Sequence, residues 1–534
     1  MAQAECWAMS KRPPGEDTNG KESKIAKAAD AEELTAGEIQ EIVAQGDALM
    51  VEDLSVAGVR RLVLQLKRKV EANQEKRILH EDDPSQFIDS EVDLEEELQK
   101  VRALATHSEL YDSFVEHRGV PLLLGLLNHA NADLAVGVFA ILAELTDEDS
   151  SLHEMKDPMV FVTALLKDRF CDMAMDCVLR IDEAQSEEDA QAVTNFLTIV
   201  ENLVEVAPLD MCKEFAKVPK FLPWLLKRVR QGPQVDWNRM YASEILALCV
   251  QNTAEAREAI AKQDAVEKLL RGIAVYRKRE PEDSQEQEFV QNLFDCLCNM
   301  MVTPKNQVDF GKQQGMELMI RMMRERKFAC RLALRLANHA MNHCAENCLL
   351  FVEKLGLPVI FSLFMRRGVK ESINSPKWRE DEEYIVSILQ SLCRYCTGTA
   401  LARVLNKFCE NRFEKLERLL EIHTMYFESD KSVHSMKELD KELDVDEKIE
   451  DQLYLDRCEA GLFTLQQADI VVVRLCNMGN RQVVEMIGEL LGIKGVPVTD
   501  ISLTVREYCE HLADTASKEK GELIKFMKNL PTGQ

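Results

Sequence analysis

The densest cluster of ligand-type side chains in this 534-residue sequence is His339, His343, Cys344 and Cys348. His339 and His343 are one turn apart on a helix face, and imidazole with thiolate suits zinc. Cys344 is rotated by about 100° from His343 on a helix, so all four converge only if the helix ends between them. Ordinary helix-end residues are the simpler reading, and no metal or cofactor is expected. Cys393-x-x-Cys396 has the spacing of a redox or zinc half-site. No second pair matches it, and both residues fall in an apolar helical run, which reads as buried structural thiols. Gly-x-x-x-x-Gly-Lys-Ser/Thr, Gly-x-Gly-x-x-Gly, His-Glu-x-x-His and Gly-x-Ser-x-Gly are all absent. The residues therefore point away from an enzyme.

A stronger signal is a set of polar stripes at helical spacing. Asn195, Thr198, Asn202 and Glu205 stand at offsets 0, 3, 7 and 10, and Glu288, Asn292, Asp295 and Asn299 at 0, 4, 7 and 11. Each set traces one helix face. An asparagine amide both donates and accepts, so it can clamp a peptide backbone without reading side chains. Glu144 and Asp147 occupy the matching part of an earlier helix, and Glu244 and Gln251 that of an intervening one. Later come Arg331, Arg335 and Arg394. If all face one groove, it is acidic toward its N-terminal end and basic toward its C-terminal end. The solvated side of any amphipathic helix explains the same stripes. Trp7, Trp224, Trp237 and Trp378 do not precede these asparagines by one turn, so an importin-type tryptophan–asparagine clamp for lysine stems is missing.

The elements that must carry these stripes are helices. Glycine is 22 and proline 15 of 534 residues, against averages of about 7% and 5%. An apolar share of 46% supports a large core. The net charge of −26 repels phosphate backbones and favours basic partners, so no direct nucleic-acid binding is expected. No run of 18 apolar residues exists, so no membrane span is expected. The N-terminus lacks a signal-peptide layout, and the 16 cysteines read as reduced thiols of a cytosolic or nuclear protein.

Those helices repeat. Gly119-Val-Pro-Leu-Leu-Leu-Gly-Leu-Leu-Asn128, a polar turn and an apolar run from Leu134 to Thr146 form an armadillo-like unit, whose glycine is expected to permit the bend between its first and second helices. Weaker copies begin near Pro158, Val218, Ala265, Gly315 and Gly356, at spacings of 39 to 60 residues. Armadillo and HEAT periods are about 40–47 residues, so some units carry insertions. The expected fold is all-α, an armadillo/HEAT-like right-handed helical solenoid with an N-terminal helical extension and a C-terminal helical cap. Its expected segments are a disordered tail at 1–30, the extension at 31–105, repeats at 106–437, an acidic linker at 438–451 and the cap at 452–534.

Eight strings in order give the chain a family resemblance. They are Phe87-Ile-Asp-Ser-Glu-Val-Asp-Leu94, Leu197-Thr-Ile-Val-Glu-Asn-Leu-Val-Glu205, Leu222-Pro-Trp-Leu-Leu-Lys-Arg228 and Tyr241-Ala-Ser-Glu-Ile-Leu246. Then follow Glu288 with Asn292-Leu-Phe-Asp-Cys-Leu-Cys298, Leu355-Gly-Leu-Pro-Val-Ile-Phe-Ser-Leu-Phe-Met365, Leu405-Asn-Lys-Phe408 and Ala460-Gly-Leu-Phe-Thr-Leu-Gln466. Together they resemble the beta-catenin-like protein 1 family of spliceosome-associated armadillo proteins, over roughly residues 75 to 530. The resemblance implies a non-enzymatic nuclear scaffold, with the cytoplasm as a second compartment. It also implies a partner role in a NineTeen-type pre-mRNA splicing complex, binding basic, localisation-type segments of splicing factors, and it leaves room for a homo-oligomer. Many family members open with a dense bipartite basic segment; here only Lys11-Arg12-Pro13, Lys21, Lys24 and Lys27 stand there. The competing readings are a nuclear transport adaptor and an armadillo scaffold unrelated to splicing.

Overall fold

A computed structural model describes residues 55–147, 159–230, 234–440, 447–513 and 516–531. The expected tail, the first part of the N-terminal extension, the basic residues 11–27, the lead-in at Pro158 and residues 441–446 of the acidic segment 438–451 lie outside them. Among the described residues every regular element is helical. They divide into two compact units, one of residues 55–265 and 282–299, the other of 266–281 and 300–531.

The first unit opens with two long helices, α1 (Val56–Leu79) and α2 (Ile88–Arg102). They run antiparallel, joined by Asn73 Nδ2 donating to Ser90 Oγ at 3.0 Å and by ion pairs Lys69–Asp93 and Arg77–Glu91. Helical triplets follow. The first is α3 (Tyr111–Glu116), α4 (Gly119–Leu126) and α5 (Ala132–Thr146). The second has α6 (Met159–Lys167), α7 (Phe170–Val178) and α8 (Glu187–Val206). Next come α9 (Pro208–Lys217), α10 (Phe221–Val229) and α11 (Trp237–Asn252), then α12 (Ala254–Ala261) and α14 (Ser284–Met300), the intervening α13 (Ala265–Ala274) belonging to the second unit from residue 266 on.

Local chemistry places the boundaries. Each third helix starts at a side chain that accepts a backbone N–H of its first turn: Asn131 for α5, Ser186 for α8, Asp236 for α11 and Asp283 for α14. Pro208 starts α9, where its missing N–H costs nothing. Apolar faces then stack. Phe139, Phe196, Phe221 and Phe215 form a buried chain with centroid separations of 5.7, 6.3 and 4.6 Å. Burying each such ring stabilises by about 1.5–3 kcal/mol relative to exposure.

The second unit continues with α15 (Pro304–Lys312), α16 (Gly315–Glu325) and α17 (Ala329–Met341). Then come α18 (Ala345–Glu353), α19 (Leu357–Phe364) and α20 (Pro376–Tyr395). A long element, α21 (Gly398–Asp440), is interrupted at Glu410–Phe413. The chain closes with α22 (Glu447–Glu459), α23 (Leu462–Cys476), α24 (Arg481–Lys494), α25 (Val498–Glu510) and α26 (Ser517–Met527). Helix α23 packs along α20 as a further third helix would, so the stack extends into the segment expected to be a cap. No single described helix is long and apolar enough to cross a membrane. The pair α18–α19 is apolar enough, but it bends by 92° and its faces are buried.

The bend before each second helix corrects the expectation about its glycine. The left-handed residue is the one preceding: Arg118 (φ 66°), Gln314 (62°) and Leu355 (62°), whereas Gly356 itself has φ −72°. The glycine answers a different demand. A Cβ on Gly315 would stand 2.6 Å from the Phe310 ring and one on Gly356 2.5 Å from that of Phe351, and Gly119 lies likewise against Phe114. In each case the phenylalanine is five residues earlier and fully buried. Where that position is Ile260, the lead-in is Ala265, which fits. Gly356→Ala should therefore cost about 1–3 kcal/mol by overpacking. Ala265→Gly should cost no more than about 1 kcal/mol, through backbone entropy. Urea unfolding of the two variants checks this; equal losses would remove the ring contact as the reason for glycine.

Candidate peptide-binding face

In the first unit the third helices α5, α8, α11 and α14 lie in order, and side chains bridge each to the next. Asn202 donates to Thr146 Oγ1 of α5 at 3.2 Å. Asn292 repeats this two helices on, donating to Ser243 Oγ of α11 at 3.2 Å. Both asparagines are half-buried. One amide hydrogen of each is thus committed to the preceding helix, while the carbonyl oxygen accepts nothing from the described residues. The expected two-way peptide clamp keeps its acceptor and the second of its two amide hydrogens. Asn195 accepts from Gln191 on its own helix at 3.0 Å. Asn299 is half-buried near the end of α14.

The acids are distributed along the same helices. Asp133 and Glu144 lie on α5; Glu187, Glu188, Asp189, Glu201 and Glu205 on α8; Glu244 on α11; Glu286, Glu288 and Asp295 on α14. Against these eleven stands one basic residue, Arg239. Its guanidinium donates to the carbonyls of Val229 (2.8 Å) and Gln234 (2.9 Å) and covers the Phe289 ring, so it serves packing. Glu205 and Glu288 are exposed, as is Asp147 just past α5, while Glu244 and Asp295 are half-buried. Glu144 is held by Arg102 of α2, with Nε to Oε2 at 2.9 Å.

Two contributors were not read from the stripes. Glu201 accepts the phenolic hydrogen of Tyr241, which also lies 3.3 Å from Thr198. Burial, reinforced by Glu201, pushes the Tyr241 phenol well above its ordinary range. Trp237 begins α11, is 55% exposed, and sets its ring edge-on to Tyr241. Trp237, Tyr241 and Glu244 stand at offsets 0, 4 and 7, so the sequence did carry the signal. This gives the face one ring able to cover a lysine or arginine stem.

The arginines of the second unit sit differently from the expected basic groove end. Arg331 is half-buried, with Nε 2.7 Å from Asp381 Oδ1 and Nη2 3.2 Å from Glu380, both on α20. Burial pushes the Asp381 carboxyl up to about 6 against the pull of Arg331. Arg394 pairs at 2.5 Å with Glu519 of α26, which is 3% exposed. Arg335 is half-buried one turn after Arg331. Arg331 and Arg394 are thus inter-helix ties. Spacing placed them on a face but could not reveal carboxylates 50 or 125 positions away.

The thiol and imidazole clusters resolve into packing. Among the described residues no group of three or more His, Cys, Asp or Glu is placed to hold a metal. His343 stands at the break between α17 and α18 with φ 57°, and its Nδ1 lies 2.9 Å from the Tyr395 hydroxyl. Cys348 turns its thiol to the Met341 carbonyl at 3.5 Å. Burial pushes the Cys393 thiol up to about 12 and that of Cys396 to about 11, so both stay protonated at neutral pH. Burial, helped by Arg335, pushes the His339 imidazole down to about 4. Between pH 6.5 and about 4 the unfolded chain therefore binds a proton there that the native state refuses. Stability from this residue is present above 6.5 and lost as the pH falls. His339→Gln should flatten that part of the urea midpoint-versus-pH curve, and an unchanged slope would contradict it.

Ordered helical triplets with third helices forming one polar face define an armadillo-type repeat protein. Residues 37–506 match the family model described as catenin-beta-like, Arm-motif containing nuclear, and the chain belongs to that family. It is 36% identical over 475 residues to Beta-catenin-like protein 1 of Bos taurus, covering 87% of this chain and 84% of that one. The Homo sapiens protein of the same name is 35% identical over 481 residues, with the same coverages. A homolog in Schizosaccharomyces pombe is 30% identical over 475 residues, covering 88% and 81%. Among solved structures, computationally designed armadillo repeat proteins for modular peptide recognition align at 14% identity and TM-score 0.37, over 53% of this chain and 99% of theirs.

Proposed function

We propose that this protein is a non-enzymatic nuclear scaffold of pre-mRNA splicing that holds Lys/Arg-rich, localisation-type segments of splicing factors on the third-helix face of its first unit. The observation that carries the reading is the acid excess of α5, α8, α11 and α14, whose one arginine is turned into packing. Asn202 and Asn292 supply backbone acceptors at a repeated position, and Trp237 supplies a ring beside Glu244. Carboxylates spread over four helices suit an extended basic segment, because each exposed contact contributes only about 0.2–1 kcal/mol. The family's description as nuclear supports the compartment.

The test is recovery of partners by the tagged full chain from nuclear extract, followed by photo-crosslinking with a lysine-rich peptide of the recovered partner. Splicing proteins should be enriched, and crosslinks should fall on α8, α11 and α14. Recovery of no splicing protein, or crosslinks confined to 438–530, would overturn the reading.

A further inference from the structure

Although the chain carries 92 acids against 66 bases, one edge of the second unit is basic. Segments 275–281, 324–328 and 365–379 include the connections that enter third helices, and they hold eleven lysines and arginines against three glutamates. Contacts lock them side by side. Lys327 Nζ donates to the Lys278 carbonyl at 2.5 Å, Arg326 reaches Ser362 Oγ at 3.2 Å, and Arg366 donates to the Glu371 carbonyl at 2.5 Å.

Lys278, Arg324, Arg326, Lys327, Lys370 and Arg379 are exposed and have no carboxylate partner within 4.0 Å among the described residues, while Arg367 pairs with Glu414 at 3.0 Å. Elsewhere in the same unit Arg331, Arg418, Arg457 and Arg474 are all carboxylate-paired. The Glu280 carboxylate takes the Phe328 N–H at 3.1 Å, at the N-terminus of α17, so an anion already sits there. The N-terminus of α17 is filled by Glu280, whereas that of α20 opens on the third segment and adds positive potential.

We propose that this strip docks the phosphate backbone of a single RNA strand without reading its bases. Seven of its eleven basic residues are arginines, whose planar forks match phosphate oxygens. Two of its aromatic rings, Tyr276 and Trp378, are buried under Arg279 and Arg366, and the third, Phe328, is half-buried at the start of α17. None of the three is an exposed platform for a base to stack on. Distributed charge without pockets suits a polyanion better than an acidic peptide, which would need side-chain anchors. The net charge of −26 opposes binding anywhere else on the chain. Broad attraction is therefore absent, and attachment is local and steeply salt-dependent.

The experiment is anisotropy of a fluorescent 20-nucleotide oligouridylate titrated with the full chain at several salt concentrations. The triple reversal Arg324→Glu, Arg326→Glu, Lys370→Glu is compared with Lys518→Glu, Lys525→Glu, Lys528→Glu, an equal charge change on exposed residues at and beside α26. Loss of three phosphate contacts should weaken binding tenfold or more and reduce the slope of log K against log salt by about 2. The α26 triple should stay within about twofold of wild type. If the strip reversal alters the circular dichroism spectrum, the corresponding alanine triple replaces it, with the same slope change expected. No binding by wild type, equal loss in both triples, or displacement of the RNA by oligoglutamate at equal charge concentration would overturn the proposal, the last in favour of an acidic peptide.

Discussion

Replacing Arg418 by alanine is expected to cost the second unit about 3–5 kcal/mol. Arg418 Nη2 lies 2.5 Å from Glu382 Oε1, the carboxylate is 1% exposed, and Tyr426 donates to its other oxygen at 3.2 Å. Burial alone pushes the Glu382 carboxyl up, and Arg418 pulls against it. Truncating the arginine leaves a buried charge with one neutral donor, and that desolvation outweighs the side chain's own packing. The double change Glu382→Met, Arg418→Met should recover most of the loss, because a buried pair and its apolar replacement are close in free energy. Denaturant unfolding, following the transition that includes α20 and α21, measures both. If the double variant were as unstable as the single, the pair would not be the source of the effect.

The helical repeat was legible because its signals are local. Scarce glycine and proline and leucine runs at helical spacing are read without any tertiary contact. The lead-in glycines were visible too, yet their reason was misplaced. The steric partner, Phe310 for Gly315 or Phe351 for Gly356, was present five residues earlier, but only the stacked helices show the ring beneath the missing Cβ. The interruption of α21 at Glu410–Phe413 has neither glycine nor proline to announce it.

The candidate face was legible in outline and not in detail. Offsets of 3, 4 and 7 put Asn202, Glu205, Asn292 and Asp295 on third-helix faces, and that placement needs no tertiary information. What each residue meets depends on side chains about 40 to 125 positions away. Asn202 finds Thr146, Arg331 finds Asp381 and Arg394 finds Glu519. The apparent change of sign from acidic to basic therefore came from reading unpaired sequence. Both structural arginines are neutralised by neighbouring helices, and a concentration of exposed positive charge in the second unit sits on the connecting segments instead.

The double reversal Glu205→Lys, Asp295→Lys should lower affinity for a Lys/Arg-rich peptide by about tenfold at low salt, because each change removes an attraction and adds a repulsion. Both side chains lie on the third-helix face, on helices whose cores are made by other residues, so the helical content should persist. Reversal of Arg331 makes a poor control, since it would place a third carboxylate beside Asp381 and Glu380. Glu75→Lys with Glu95→Lys on α1 and α2 makes the same charge change at exposed positions outside α5, α8, α11 and α14. Salt should shrink the difference, with a screening length of about 8 Å at 0.15 M. The decisive measurement is calorimetric titration of one basic localisation-type peptide into wild type, the third-helix double reversal and the α1–α2 double reversal, at low and high salt. Binding by wild type and the α1–α2 variant with about tenfold loss in the third-helix variant, narrowing at high salt, is the predicted result; equal affinities in all three would place the peptide on another surface and contradict the scaffold face described for the first unit.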